Sequence, residues 1–275
     1  LENVLWFANN KEDAHEEPTI KRSRSHDYVS KEVINVRENV GLIEVANFSK
    51  HEFKGPDARK FLDHIMAGRL PKPGRISLSP MLSYRGKLCG DLTVACLDEN
   101  EFMVFGSGAA QEMHRRWFES HLDKFNLSYS NRSDEYHGLS IAGPNSRKVL
   151  EKIVRDDVSN EKFKFRDSRR MFVGGVPAII NRISFTGELG YEIYVAPHYQ
   201  LKLYEELMEA GKEFNIKPFG GRALMSMRLE KNWGAWTLDY RPDFTAKETG
   251  LDVFINWDKE FIGKESAQKE NSSNK

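Results

Sequence analysis

Three strand-like runs stand almost back to back over 76–84, 88–97 and 102–106. Arg85-Gly86 turns the first pair and Asp98-Glu99-Asn100 the second. Joins this short cannot carry a crossover, so the runs pair as antiparallel hairpins. Helical patterns flank them. One covers 57–67, opened by the breaker Gly55-Pro56-Asp57, with Phe61, Leu62, Ile65 and Met66 facing inward. The other covers 109–124, with Met113, Trp117 and Leu122 as its inward residues. Strands and helices are segregated, not alternating, and this predicts an α+β unit over 55–135. Leu70-Pro71-Lys72-Pro73-Gly74 forms a rigid connector inside it.

The flanking chain carries a second set of elements. Ser30 can cap a helix over 31–40, where Val33, Val36 and Val40 recur at helical spacing. Residues 42–54 hold two short strands. A strand over 137–142 leads into Gly143-Pro144-Asn145 and a helix over 146–155. Strands over 171–174 and 177–185 turn at Gly174-Gly175, and a further strand covers 191–195. Helices over 199–213 and 221–232 follow. Gly55-Pro56-Asp57-Ala-Arg59-Lys and Gly143-Pro144-Asn145-Ser-Arg147-Lys are an internal echo: two similarly built lobes or one shared helix-start device would each produce it. Polar residues 9–27 predict a loop, and the tail from Gln268 to Lys275 predicts disorder.

At 275 residues the chain can bury one to three cores. Its 41 Lys plus Arg balance 41 Asp plus Glu, which leaves no net field to gather nucleic acid or an anionic membrane. The basic cluster Lys21-Arg22-Ser23-Arg24 is then a solvated loop. The mean hydropathy is −0.60, and no apolar run approaches the roughly 20 residues of a membrane helix. Cys89 and Cys96 lie an odd number of residues apart in one strand, on opposite faces, where they cannot bond to each other; a reducing compartment follows. The chain begins at Leu without a basic leader and reads as a fragment or a processed product.

Three short runs carry candidate chemistry. In Gly90-Asp91-Leu92-Thr93-Val94, alternation puts Leu88, Leu92, Val94 and Cys96 on one face and Cys89, Asp91, Thr93 and Ala95 on the other. A carboxyl among small apolar neighbours is partly desolvated, so its pKa rises and proton exchange with an amine near neutral pH becomes feasible. An exposed edge-strand Asp, or a structural partner for an Arg, fits the same pattern. In Thr186-Gly187-Glu188-Leu189-Gly190-Tyr191-Glu192, the loop residue Glu188 could accept two parallel hydrogen bonds from an amino-pyrimidine edge, or be the surface residue of a tight turn. Arg228, within Met227-Arg228-Leu229-Glu230-Lys231, could hold a carboxylate in bidentate fashion or form a salt bridge on a helix face. Gly106-Ser107-Gly108 lacks the third glycine of a dinucleotide fingerprint, since Gln111 stands there, and the surroundings are not βαβ. The eight histidines show no metal-ligand spacing, so no metal site is expected.

The ordered set Val36-Arg37-Glu38-Asn39-Val40-Gly41-Leu42, Gly55-Pro56-Asp57-Ala58, Arg69-Leu70-Pro71, Gly74-Arg75-Ile76, Gly90-Asp91-Leu92-Thr93-Val94, Gly143-Pro144, Ser159-Asn160, Thr186 to Glu192, Arg228-Leu229-Glu230-Lys231, Glu248-Thr249-Gly250-Leu251 and Phe261-Ile262-Gly263-Lys264-Glu265 covers roughly 33–266. Together these motifs resemble the aminomethyltransferase family, the folate-binding glycine-cleavage T-protein group. Within it they look most like the C-terminal half of dimethylglycine and sarcosine dehydrogenases. The resemblance implies an α+β, T-protein-like cloverleaf of mixed and antiparallel sheets with helices, its C-terminal β-rich domain truncated. It implies a discontinuous folate-binding lobe over 1–54 and 136–240, an inserted lobe over 55–135 carrying Asp91, and a truncated C-terminal region and polar tail over 241–275.

By the same resemblance the cofactor is tetrahydrofolate in a central channel. Asp91 is the catalytic acid beside the folate amines, Glu188 holds the pterin edge, and Tyr84, Thr93 and Arg228 line the channel. The implied reaction captures a one-carbon unit from a small methylamine-type donor to give 5,10-methylenetetrahydrofolate. A flavin oxidoreductase domain or subunit is the implied partner, since this chain carries no FAD fingerprint; nucleic acid and membrane are not. The compartment is the cytoplasm, or the mitochondrial matrix in a eukaryote. Phe185 departs from the pattern, because many relatives carry Tyr there. A non-catalytic regulatory or interaction protein on this fold, and a folate-dependent demethylase of another methyl donor, are the competing expectations.

Overall fold

The computed structural model describes residues 3–16 and 18–273. Its strands are β1 (Val40–Glu44), β2 (Ser49–Lys54), β3 (Arg75–Leu82), β4 (Leu88–Asp98), β5 (Glu101–Gly106), β6 (Ser128–Asn131), β7 (His137–Ala142), β8 (Ser168–Val173), β9 (Val176–Asn181), β10 (Gly190–Val195) and β11 (Ile216–Pro218). Its α-helices are α1 (Ser25–Glu38), α2 (Ala58–Ile65), α3 (Gln111–Glu119), α4 (Ser146–Ile153), α5 (Gln200–Gly211), α6 (Gly221–Glu230) and α7 (Lys264–Ser273). The class is α+β. The chain divides into two compact units.

The first unit takes Leu1–Ala46, Tyr136–Phe165 and Arg170–Trp233. It is built on a six-stranded sheet in the order β11-β1-β7-β10-β9-β8. Strands β1, β7, β10 and β9 pair antiparallel, while β11 joins β1 in parallel. One face buries Leu42, Ile141, Ile180 and Ile193 against Leu150 of α4 and Leu203 and Leu207 of α5. A second cluster joins Val36 of α1 to Ala142, Phe219 and the α6 residues Ala223 and Met227. Helix α1 starts at Ser25, well before the expected residue 31, and Ser30 lies inside it. Its first turn is held by packing: Ser25 is buried and its Oγ accepts a bond from Arg222 Nη1 at 3.0 Å. Residues expected in the loop therefore become helical from 25 onward.

The second unit takes Asn47–Glu135, Arg166–Arg169 and Gly234–Lys275. Its five strands run β3-β4-β5-β2-β6, every neighbouring pair antiparallel, so the three runs singled out in the sequence are neighbours. Strand β2, placed by sequence in the flanking lobe, pairs with β5 and β6 here. Phe53, Phe61, Leu62, Ile65, Leu92, Val94, Phe102 and Phe118 form its main core.

Two further elements differ from expectation. A tight 3-10 turn over Gly108–Ala110 precedes α3, which ends at Glu119. That turn winds more sharply than an α-turn and resets the helix phase. The fully buried residues of α3 are His114 and Phe118; of the expected inward residues, Trp117 and Leu122 are partly buried against the same core, while Met113 is 39% exposed. The tail is helical through Ser273, not disordered. Ala267 packs onto Gly86, where an added Cβ would lie 2.5 Å from the Ala267 nitrogen, and Lys87 Nζ pairs with Glu270 at 2.5 Å. Residues 274–275 of that tail lie outside the described residues.

The sequence echo is a structural echo. Gly55 and Gly143 have φ of +133° and +132°, and each carbonyl accepts a bond from the residue three further on, at 3.0 and 3.1 Å. Each device stops a strand and starts a helix within three residues. A Cβ on Gly143 would fall 2.4 Å from the Asn39 carbonyl oxygen. Gly143→Ala is expected to destabilise the protein by about 2 kcal/mol or more, measured by urea denaturation.

Candidate functional site

Strand β4 positions the leading candidate. Leu88, Gly90, Leu92 and Val94 are buried, whereas Cys89, Asp91 and Thr93 on the opposite face keep some exposure. Opposite Asp91 stands Pro80, which has no backbone donor to offer, on the edge strand β3. The register slips between Met81 and Leu82: Met81 faces Gly90 and Leu82 faces Leu88, which leaves Cys89 as a bulge residue.

The Asp91 side chain retains some accessible surface, yet protein atoms crowd it densely. The resulting desolvation pushes its carboxyl up to about 7, opposed only by a bond from its own backbone N–H. None of the ion pairs among the described residues includes it. A carboxyl poised near 7 without a fixed cation can accept or release a proton at neutral pH.

Thr93 sits beside Asp91 on the same face of β4. Tyr84 does not join them. It lies beyond the end of β3 and is 65% exposed; its hydroxyl is 2.7 Å from His121 Nε2 and its ring packs on Trp117.

In the first unit, Glu188 lies in the turn before β10, where Gly187 adopts φ of +86°. Its carboxylate accepts from Arg37 Nη1 at 2.5 Å, and Arg37 Nη2 reaches Glu230 at 2.6 Å. Glu188 is thus already committed to a cation. Arg228, on α6, is buried and donates from Nη1 to the Trp233 carbonyl at 2.9 Å.

Sequence reasoning passed over a third carboxyl. Glu192 is buried in mid-β10, where Tyr194 donates its hydroxyl to Oε2 at 2.9 Å. Burial pushes it up to about 7, and the Tyr194 hydrogen bond and then the Lys231 charge partly offset that rise. The signal was present: Glu192 interrupts the apolar run from Tyr191 to Val195 just as Asp91 interrupts β4.

The Glu192 shift has a definite sign. A native state that holds a proton the unfolded chain has released loses stability as pH rises. Glu192 therefore stabilises fully below about 4.5 and loses that contribution as pH climbs through about 7. His51 and His114, held by burial at about 3 and about 4, act oppositely, since the unfolded chain binds more protons below 6.5. Between pH 5 and 7.5, Glu192→Gln is expected to lose less stability than the parent, the two denaturation-derived curves diverging by at most a few kcal/mol.

Comparison with known proteins then places the chain. The GCVT N-terminal domain matches residues 1–259. Dimethylglycine dehydrogenase, mitochondrial, of Mus musculus is 35% identical over 273 residues, which are 98% of this chain and 31% of the mouse protein. An aminomethyltransferase of Desulfitobacterium hafniense (strain Y51) is 30% identical over 240 residues, 86% of this chain and 65% of that protein. The chain thus spans about a third of the length of the dimethylglycine dehydrogenases it matches. Among solved structures, the glycine cleavage system aminomethyltransferase T from Bartonella henselae superposes with a TM-score of 0.80 at 23% identity, over 90% of this chain and 67% of that one, and so shares its fold. Matched by that domain over nearly its whole length, this chain belongs to the aminomethyltransferase family, the glycine-cleavage T-protein group.

Proposed function

We propose that this chain is a folate-dependent one-carbon transfer module in which Asp91 is the acid–base residue at the reacting amine. The observation that carries the reading is the Asp91 carboxyl itself: raised to about 7, free of any ion pair among the described residues, and preceded by a glycine. A charged partner would have fixed it as a carboxylate; desolvation alone leaves it able to exchange protons with an amine. The glycine admits a flat ring close to the backbone. Those features suit tetrahydrofolate, whose ring amines supply the nucleophile that captures the one-carbon unit. Asp91 as carboxylate takes the proton that the amine nitrogen sheds when its new C–N bond forms, and the donor leaves as an amine, or as water if formaldehyde is captured.

Thr93, on the same strand face, is proposed to orient that amine, and Tyr84 to bound the ligand further out. Arg228 is proposed for the anionic tail and Glu188 for the donor edge of the pterin. The Arg37 pair on Glu188 makes Glu192 the rival acceptor for that edge, because among the described residues the Tyr194 hydroxyl is the one side-chain donor to its Oε2. The one-carbon donor is proposed to be a small methylamine. Mitochondrial dimethylglycine dehydrogenases share 35% identity with this chain, which supports a flavin oxidoreductase domain or subunit as the source of the electrophile and, in a eukaryote, the matrix as its compartment. Among the described residues, no helix is long and apolar enough to cross a membrane.

Asp91→Asn is expected to abolish the protein-dependent methylenetetrahydrofolate formation, measured above the uncatalysed condensation of tetrahydrofolate with formaldehyde, while calorimetric affinity for tetrahydrofolate stays within roughly tenfold. Retained turnover in Asp91→Asn, or no binding heat with the parent protein, would overturn the reading.

A further inference from the structure

Beneath Gly90 and Asp91 lies a histidine that no motif singled out. His114 projects from α3 and is 1% exposed. Its Nε2 lies 2.9 Å from the Cys89 carbonyl oxygen. A carbonyl can only accept, so Nε2 carries the proton and Nδ1 holds the lone pair. The tautomer is set by this bond.

Two glycines make room for the ring. A Cβ on Gly90 would fall 2.8 Å from Nε2, and a Cβ on Gly106 would fall 3.1 Å from Nδ1. The ring therefore occupies a slot between β4 and the end of β5 that any side chain at either position would obstruct.

Cys89, the residue whose carbonyl it holds, is the bulge residue of β4, passed over by the β3 register. The β5 ladder is no help there, since it begins at Thr93, opposite Phe105. Leu88 just before Cys89 is held, its N–H donating to the Phe244 carbonyl at 2.9 Å, but among the described residues the stretch from Cys89 to Leu92 has no ladder partner on the β5 side and slips register on the β3 side. A bulge re-aims the side chains next to it, and an untethered bulge would leave the Asp91 carboxyl free to swing toward water.

We infer that His114 is the positioning residue of Asp91: by bonding the Cys89 carbonyl within the two-glycine slot, it fixes the bulged stretch of β4 that presents the carboxyl. The inference rests on the proposed role of Asp91, though its geometry stands without it. Among the described contacts, the titratable neighbour of the ring is His51 from β2, 6.2 Å away and held in turn by Tyr129 of β6. The rings of Phe118 and Trp236 pack beside it, with centroids 6.3 and 6.1 Å away. On the face it shares with Cys89, Thr93 and Ala95, Asp91 has Cys89 as its one titratable companion, and burial holds that thiol at about 11.

The test compares His114→Leu, which keeps bulk and removes the donor, with His114→Gln, which restores an N–H at similar reach. Asp91 is followed by carboxyl carbon NMR titration in the protein without folate, and turnover by the pH profile of methylenetetrahydrofolate formation. In His114→Leu the Asp91 titration midpoint is expected to fall by roughly half a unit or more as water reaches the carboxyl. The same variant should lose kcat on the order of tenfold with KM little changed, and His114→Gln should return both. An Asp91 midpoint and kcat profile in folded His114→Leu that match the parent would overturn the inference, as would a folded His114→Gln that behaves like His114→Leu. If His114→Leu does not fold, Gly90→Ala displaces the same ring and must lower the same midpoint, or the inference fails. A midpoint that moves and is rescued, in a parent protein with no folate turnover, would uphold the positioning role and overturn the proposed function alone.

Discussion

Desolvating a carboxyl without giving it a cation is costly, and the second unit is arranged around that cost. Raising Asp91 from 3.8 to about 7 separates its two protonation states by on the order of 4 kcal/mol. A salt bridge would remove the penalty and with it the freedom to exchange a proton. The compensation comes from apolar packing elsewhere in the unit. Phe53 sits 5.4 Å from Phe61 and 5.1 Å from Phe118, and Phe61 sits 5.3 Å from Phe125. Such pairs contribute about 0.5–1.5 kcal/mol each beyond the area they bury. The aromatic layer lies in the same unit as this desolvated acid, a juxtaposition of stable packing and a costly polar group of the kind expected at reactive sites.

How much of this was legible in the sequence depends on whether the signal was local. Strand alternation in β4 put Asp91 and Thr93 on one face and Leu88, Leu92 and Val94 on the other, and burial follows that division. The echoed Gly-Pro starts announced two helices, because a positive φ at glycine is a property of the residue itself. Tertiary contacts were less visible. The start of α1 at Ser25 depends on Arg222, nearly two hundred residues away. The helical tail depends on Gly86 and Lys87. The face of α3 depends on a three-residue 3-10 turn whose effect on phase no periodicity reveals.

The same division holds within the candidate site. Asp91 was found because a carboxyl in an alternating strand is anomalous on its own. Glu188 drew attention as a loop carboxylate between glycines, but its ion pair reaches back to Arg37, and no local pattern foretells that. Glu192 was overlooked although it breaks an apolar run as Asp91 does. Its neighbour in the motif, the turn at Thr186 to Gly190, was the more conspicuous feature. His114 was hidden because it is not apolar: of the residues expected inward on this helical stretch, Trp117 and Leu122 do pack on the core, Met113 is exposed, and His114 takes the buried place beside it.

The buried carboxyls also alter the electrical description of the molecule. The sequence balances 41 positive against 41 negative side chains with histidines counted neutral. His51 and His114, held at about 3 and about 4, obey that count at neutral pH. Asp91 and Glu192, both pushed by burial to about 7, do not: each holds its proton far above the range of an ordinary carboxylate, which tilts the balance toward positive charge. Mild acidification from neutral pH therefore loads protons onto these interior carboxyls, across a range in which a surface of ordinary carboxylates would take up almost none.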